Sequence, residues 1–436
     1  MSLLVYTPKV TTRFQYVFRQ LFVRILEIPI QFTASLDEFV AFPGAKFSYA
    51  SEPLGQEFHV YANGFLSEQG ISYQDLKKGR WLEYPVLFSH ERSSRIPFDL
   101  FAASFYCLSR YEEYLPYLKD EKGRYPAVES WVITEGSLEE PLVDLWAIAF
   151  LEELQKDFPD LKPSNKNKDS QVQPLLILSS PLKYFYKPSL TKARQFLQSL
   201  WKLNWWDVLE QLLVESRLLS DPYANYDAVI THLNKAGLRP EFYFLFTQKP
   251  YEGEATAIYN TKLQALIKGV SDDFVTTSLL SYHSQFNEAE LRDELFRMNQ
   301  LIHRPIQRTR FHGGIRNIAA TYSMLLQMEV LHDLSMGYEE EIGYRASTAV
   351  PFYYYNLENE YQTPLLLHPV VASEAGLRKH SSHVAFEKLN RLVNQLPTPT
   401  GTQKVAFSNT IWQEEDNNQL WREQFFNYLE KHAGYQ

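Results

Sequence analysis

One cysteine, Cys107, stands in 436 residues. A lone thiol closes no internal disulfide, so the sequence gives no sign of an oxidising compartment, and Cys107 reads as a small core residue. Positive charge is also short: Lys and Arg number 43 against 52 Asp and Glu, a formal net charge of −9. Nucleic acids and anionic bilayers are held by concentrated positive charge, so the balance argues against a general binder of either, a local basic patch aside, and no nucleic-acid partner is expected. No run approaches the roughly eighteen uninterrupted apolar residues that cross a bilayer. Met1–Lys9 lacks a basic segment followed by an apolar run and a small-residue cleavage site. No membrane span and a cytoplasmic location are therefore expected. Acidic residues are absent between Asp169 and Asp207, a gap that matters below.

What is present is an apolar share of 45% with 22% charged residues, the balance of a folded, soluble chain. Its length favours two or three domains. The 28 Tyr, 29 Phe and 8 Trp could line a sugar cleft, but ring-filled cores are the expected use. Leu3–Tyr6 reads as a strand. Phe14, Val17, Phe18, Leu21 and Ile25 then follow a helical period, with Thr11 or Thr12 as cap, and Pro29–Thr33 reads as a strand. Further strands are expected at 47–50, 57–61 and 130–134, with a buried helix in 96–114 and another opened by Pro141. Asp99, Arg110, Glu112 and Glu113 are expected as solvated helix-end charges. Residues 158–173 are rich in Pro, Asn, Lys and Ser without periodicity. The domains are set at 1–161 and 174–436, joined by a linker at 162–173.

Pro174–Leu178 is a short apolar run that stops at Ser179-Ser180-Pro181, the pattern of a strand buried on both faces. In parallel α/β folds chemistry gathers beyond the carboxyl ends of such strands, yet Ser179 to Pro181 bring no carboxylate. Strands expected at 239–246, 274–280, 309–312, 343–346, 365–368 and 404–407 alternate with helical patterns at 192–218, 256–267, 288–302, 322–328, 385–396 and 421–429. The fold class is α/β, with a parallel sheet or (β/α) barrel in the second domain.

Several runs carry a resemblance to a known family. They are Leu4-Val5-Tyr6-Thr7-Pro8-Lys9, Pro97-Phe98-Asp99 with Ser109–Tyr114, Pro141–Trp146 and Ile302-His303-Arg304-Pro305. Arg310-Phe311-His312, Met336-Gly337-Tyr338, Gly343–Thr348 and Pro351-Phe352-Tyr353 complete the set. In this order they resemble bacterial polysaccharide deacetylase-like proteins, carbohydrate esterases of the NodB-homology type. The resemblance implies an N-terminal α/β domain followed by a distorted (β/α) barrel of polysaccharide deacetylase type. It also implies a strand-end Asp-x-Asp motif that supplies a base and a metal ligand, and two histidines spaced i, i+4 that complete an Asp-His-His site for a divalent metal, often zinc. Such a metal polarises the acetyl carbonyl and lowers the pKa of its water.

Set on that pattern, the acidic positions are Ser179 and Pro181, the histidine pair is Leu279 and His283, and a late histidine is Ser408 before Asn409. His283 alone survives as a metal ligand, so neither a catalytic group nor a metal cofactor is expected. Arg310 and His312 fall where the family has an active-site arginine, and Asp333 resembles the acid that orients it. Arg345, with Ser347 and Thr348, either binds a ligand or holds the barrel together. His368, His380 and His383 read as surface histidines. The leading expectation is a catalytically inactive, metal-free protein that binds a glycan, an envelope precursor or a protein partner in cell-envelope polysaccharide metabolism. An active carbohydrate N-deacetylase stays open as the alternative, with zinc, His283 and His312 and an acid such as Asp272, Asp273 or Asp333. A third reading makes the N-terminal domain the working half.

Overall fold

The structure, a computed structural model, describes residues 2–163, 171–185, 189–201, 205–224, 226–235, 237–247, 258–396, 402–412 and 418–432. It divides into two compact units. The first is Met1–Ser170 with Gly343–Pro369 and Leu392–Thr402; the second is Gln171–Ile342 with Val370–Arg391 and Gln403–Gln436.

In the first unit, strand β1 (Leu3–Tyr6) leads to helix α1 (Thr12–Phe18), whose cap is Thr11 accepting from the Phe14 amide. The helical path runs on through a π-type segment, Arg19–Ile25, to β2 (Ile30–Thr33). Phe14, Val17, Phe18, Leu21 and Ile25 are all buried, as their spacing required. Helix α2 (Leu36–Ala41) precedes β3 (Lys46–Ala50), and β4 (His59–Tyr61) follows. The four strands form one parallel sheet in the order β2-β1-β3-β4. A small antiparallel ribbon pairs β5 (Gly79–Trp81) with β6 (Tyr84–Val86). Behind the parallel sheet lie α3 (Leu100–Leu108) and α5 (Leu142–Asp157), with a one-turn α4 (Trp131–Thr134) between them in sequence.

Aromatic rings do fill this core. Phe18 stacks on Phe101 with centroids 3.9 Å apart, and Phe47 and Phe150 close the cluster. Residues 130–134, expected as a strand, are helical because the Glu112 carboxylate caps their start, accepting from Ser130 Oγ at 2.6 Å and the Trp131 amide at 3.2 Å.

The expected solvated charges at 99–113 are buried instead. Asp99 caps α3 and accepts from Tyr49 Oη (2.8 Å), Asn63 N (2.9 Å) and Ala102 N (3.0 Å). Burial nevertheless pushes it up to about 6. Arg110 donates to both Glu112 and Glu113 at 2.8 Å.

Residues 343–369, placed with the second domain on sequence, pack in the first unit. Asp144 of α5 accepts from Thr348 Oγ1 at 2.5 Å and Ala349 N at 2.8 Å, and Val143 N donates to Ser347 O at 2.9 Å. Gly343 is obligatory there: at φ 144° a Cβ would stand 2.3 Å from Leu138 O. This segment is not the strand expected at 343–346. It leads into an antiparallel hairpin, Phe352–Asn356 with Tyr361–Pro369. His368 lies in that hairpin, buried rather than on the surface.

The second unit opens with β7 (Gln171–Leu178). Helices α6 (Ser189–Trp201), α7 (Trp205–Glu215) and α8 (Tyr226–Lys235) follow; α8 had no counterpart in the sequence reading. Then come β8 (Glu241–Leu245), α9 (Thr261–Asp273), β9 (Val275–Leu280), α10 (Glu288–Ile302), β10 (Arg308–Phe311), α11 (Ile318–Gln327) and β11 (His332–Met336). Residues 256 and 257, read as the start of α9, lie outside the described residues. Strand neighbours run β11-β10-β9-β8-β7, then Thr402–Ser408, then Ala372–Ser373. The β7-β8, β8-β9, β9-β10, β10-β11 and 372–373/402–408 pairs are all parallel. This is an α/β arrangement consistent with a barrel whose hydrogen bonding does not close among the described residues. Leu175, Ile177, Tyr243, Leu245, Leu279, Leu334, Val370 and Ala406 form its core.

Candidate functional site

The carboxyl ends of these strands surround a cavity of about 370 Å³ lined by Ile177, Ser179, Leu279, Arg310, Phe311 and His312 on one side. Glu339, Ser373, Glu374, Arg378, Ser408 and Thr410 line the other. Each side chain is aimed by the strand it follows. β10 alternates so that Arg310 and His312 share a face, and the His312 amide is tied to Leu280 O at 2.9 Å. Gly337 permits the turn after β11, since a Cβ there would meet Val370 O at 2.3 Å. That turn carries Glu339 back to the cavity.

Two arginine–carboxylate pairs define the polar part. Arg310, 4% exposed, donates Nη2 to Glu339 Oε1 at 2.7 Å and Nη1 to Leu334 O at 2.5 Å. Glu374, at the start of the short helix Glu374–Leu377, accepts from Arg378 Nε at 2.6 Å. Its two oxygens also take Thr410 Oγ1 (2.8 Å), Ser408 Oγ (2.8 Å) and Ser408 N (2.9 Å). Arg378 is braced in turn by Asn418 Oδ1 at 2.9 Å and by the Trp421 ring. Both carboxylates are thus held in place by their arginines.

The structure therefore places Ser179, Leu279, Arg310, His312 and Ser408 around one cavity. Six other residues picked out in the sequence are not among its lining. Pro181 lies past Ser179, its carbonyl accepting from Tyr226 Oη at 2.8 Å. His283 sits in the 3-10 turn His283–Gln285 with its ring against Tyr282. Asp333 does not pair with Arg310. It is wholly buried within β11, not at a helix end, and accepts from Ser335 N and Oγ at 2.9 Å and from Tyr322 Oη at 3.3 Å. Burial pushes it up to about 6, against those hydrogen bonds. Arg345 belongs to the first unit, where it grips Glu113. Asp272 and Asp273 end α9, ahead of β9 and at the opposite end of that strand from Leu279.

Glu339, Glu374, Arg378 and Thr410 were missed on sequence. Glu374 and Arg378 pair locally, four residues apart, but Glu339 and Thr410 join them only because the strand ends converge. The sole local hint was Ser373, the cap of the Glu374–Leu377 helix.

A zinc ion does not fit this lining. Each carboxylate is already claimed by a guanidinium, and His312 is the one imidazole among the described residues of the lining. No group of three or more His, Cys, Asp or Glu side chains with metal-ligand geometry occurs among the described residues. Tight zinc sites need three or four such ligands.

At the other end of the strands, Glu241 accepts from Tyr243 Oη (2.6 Å) and Gln173 Nε2 (2.8 Å) and pairs with Arg308 at 3.1 Å. Lys404 is buried beside them. Desolvation pushes it down to about 8, with Glu241 opposing and Arg308 assisting that shift.

Comparison with known proteins adds three findings. Residues 3–159 match the model of a family of unknown function, DUF7033. No curated protein matches the chain. A solved structure similar to this chain is one from Mycobacterium smegmatis, provisionally described as a polysaccharide deacetylase. The identity is 11%, the TM-score 0.38, and the likeness covers 61% of this chain and 86% of that one. At that level it assigns neither activity nor ligand. No helix among the described residues is long and apolar enough to cross a membrane.

Proposed function

We propose that the second unit holds a sugar in the Ser179–Arg310–Arg378 cavity without hydrolysing it. In this reading the protein is a catalytically inactive, deacetylase-like glycan binder serving cell-envelope polysaccharide metabolism from the cytoplasm. The observation that carries it is the pair of arginine–carboxylate couples facing one cavity. Each couple sets donors beside an acceptor, which suits vicinal sugar hydroxyls. Ser179, Ser408 and Thr410 add hydroxyls that can donate or accept, and Ile177, Leu279 and Phe311 offer an apolar wall for a ring face. The residues standing at the base and metal-ligand positions of the resembled family, Ser179, Pro181 and Leu279, support binding over zinc-driven hydrolysis.

The test is calorimetric titration of the full chain with oligomers of N-acetylglucosamine, alongside an acetate-release assay with and without zinc. Saturable binding that Arg378→Ala weakens at least about tenfold, with no acetate released, is the expected result. Zinc retained in stoichiometric amount, with acetate release lost in His312→Ala, would replace this reading by the hydrolase.

A further inference from the structure

The first unit has a second place where a ligand would lodge, independent of the sugar cavity. In its parallel sheet, ordered β2-β1-β3-β4, the chain leaves β1 toward β2 on one side and then crosses to β3 on the other. Between β1 and β3 the connections diverge, and in open parallel sheets ligands settle in the crevice that this reversal leaves beyond the strand ends. A cavity of about 160 Å³ lies there, with Thr7, Lys9 and Thr11 following β1, Ser51 following β3, and Ala62 and Ser67 following β4. Topology and cavity are separate observations, and they select the same spot.

The lining also has a chemical character. Lys9 is the one charged residue among the described lining residues, with no carboxylate beside it. Lys9 Nζ and the hydroxyls of Ser51 and Ser67 form no hydrogen bond or ion pair with other described residues. One cation with donor hydroxyls and no acid favours an oxyanion. The volume is below the roughly 300 Å³ at which pockets for drug-sized ligands begin, so a phosphate-sized head group fits and a nucleotide does not. We infer that this crevice binds inorganic phosphate or the phosphate of a small phosphomonoester, with Lys9 as its cationic contact.

Titration of the full chain with inorganic phosphate at low ionic strength tests this. One saturable site is expected, weakened about tenfold or more by Lys9→Gln and removed by Ala62→Leu, which narrows the crevice. Lys9 is exposed, so its variant keeps the wild-type melting temperature and decides the matter even if Ala62→Leu does not fold. Absence of saturable binding, or binding equal in Lys9→Gln and wild type but lost in Arg378→Ala, would overturn the inference. Displacement by acetate at equal concentration would overturn the phosphate assignment.

Discussion

Arg345 holds Glu113 through two parallel hydrogen bonds, Nε to Oε1 at 2.9 Å and Nη2 to Oε2 at 2.6 Å, with both side chains only 4% exposed. Arg110 reaches the same carboxylate from the other side and also bonds the Arg345 carbonyl. Burial alone would raise the Glu113 pKa, but Arg345 and Arg110 hold it below the usual range. The pair ties the 343–349 segment to the turn after α3.

Removing Arg345 leaves the buried Glu113 to Arg110 and takes away both parallel hydrogen bonds. Arg345→Met should therefore cost about 1–3 kcal/mol of stability in urea unfolding. The double variant Arg345→Met with Glu113→Leu should recover much of that loss, because it removes the under-compensated carboxylate while Arg110 keeps Glu112. Equal losses in single and double variants would show that packing rather than charge is at stake.

Asp144 gives the first unit a pH dependence of known sign. Desolvation pushes it up to about 7, outweighing its bonds from Thr348 and Ala349. The folded state thus binds the proton more tightly than the unfolded chain, whose carboxyl titrates near 3.8. Its contribution to stability is fully present at low pH and is lost as pH rises from about 4 through 7. Subtracting the stability of Asp144→Asn from that of wild type at each pH should isolate a difference falling across that window. A flat difference would mean that Asp144 titrates normally.

Lys404 predicts the opposite slope at higher pH. Its folded pKa lies near 8, below the ordinary 10.5, so the unfolded state binds more protons between these values and stability rises with pH across them. Lys404→Met should remove that rise and leave the protein as stable or more stable at neutral pH. Melting temperatures at pH 7 and pH 9.5 for both proteins would decide it.

The Glu374 carboxylate organises one wall of the sugar cavity. Glu374→Gln withdraws the charge that Arg378, Ser408 and Thr410 share, and should cost about 1–3 kcal/mol, read by urea unfolding. Oligosaccharide affinity should fall in the same variant while Asp293→Asn, on the exposed face of α10, leaves it as in wild type. Unchanged affinity in Glu374→Gln would place the ligand elsewhere.

Local signals in the sequence settled the elements whose ends are written locally. Thr11 and Asn287 cap α1 and α10 because each side chain reaches an amide three residues on. The apolar run 174–178 could only be a strand buried on both faces. The end of that strand also announced where a cavity would open, since strand direction alone fixes which edge of a parallel sheet gathers loops.

Tertiary structure decided everything that depends on partners far along the chain. Trp131-Val132-Ile133-Thr134 has β-branched side chains suited to a strand, yet the Glu112 carboxylate at its start made it a helix turn. Asp333 looked like a partner for Arg310 because it resembles the acid that orients the arginine in the resembled family, but the Gly337 turn delivered Glu339 instead. The Arg378–Glu374 couple is local in sequence, and only the Thr402–Ser408 strand, bringing Ser408 and Thr410 against it, made it part of a site. Periodicity and caps act over a few residues and are legible in order along the chain. The convergence of strand ends is set by sheet order, which no stretch of this sequence encodes by itself.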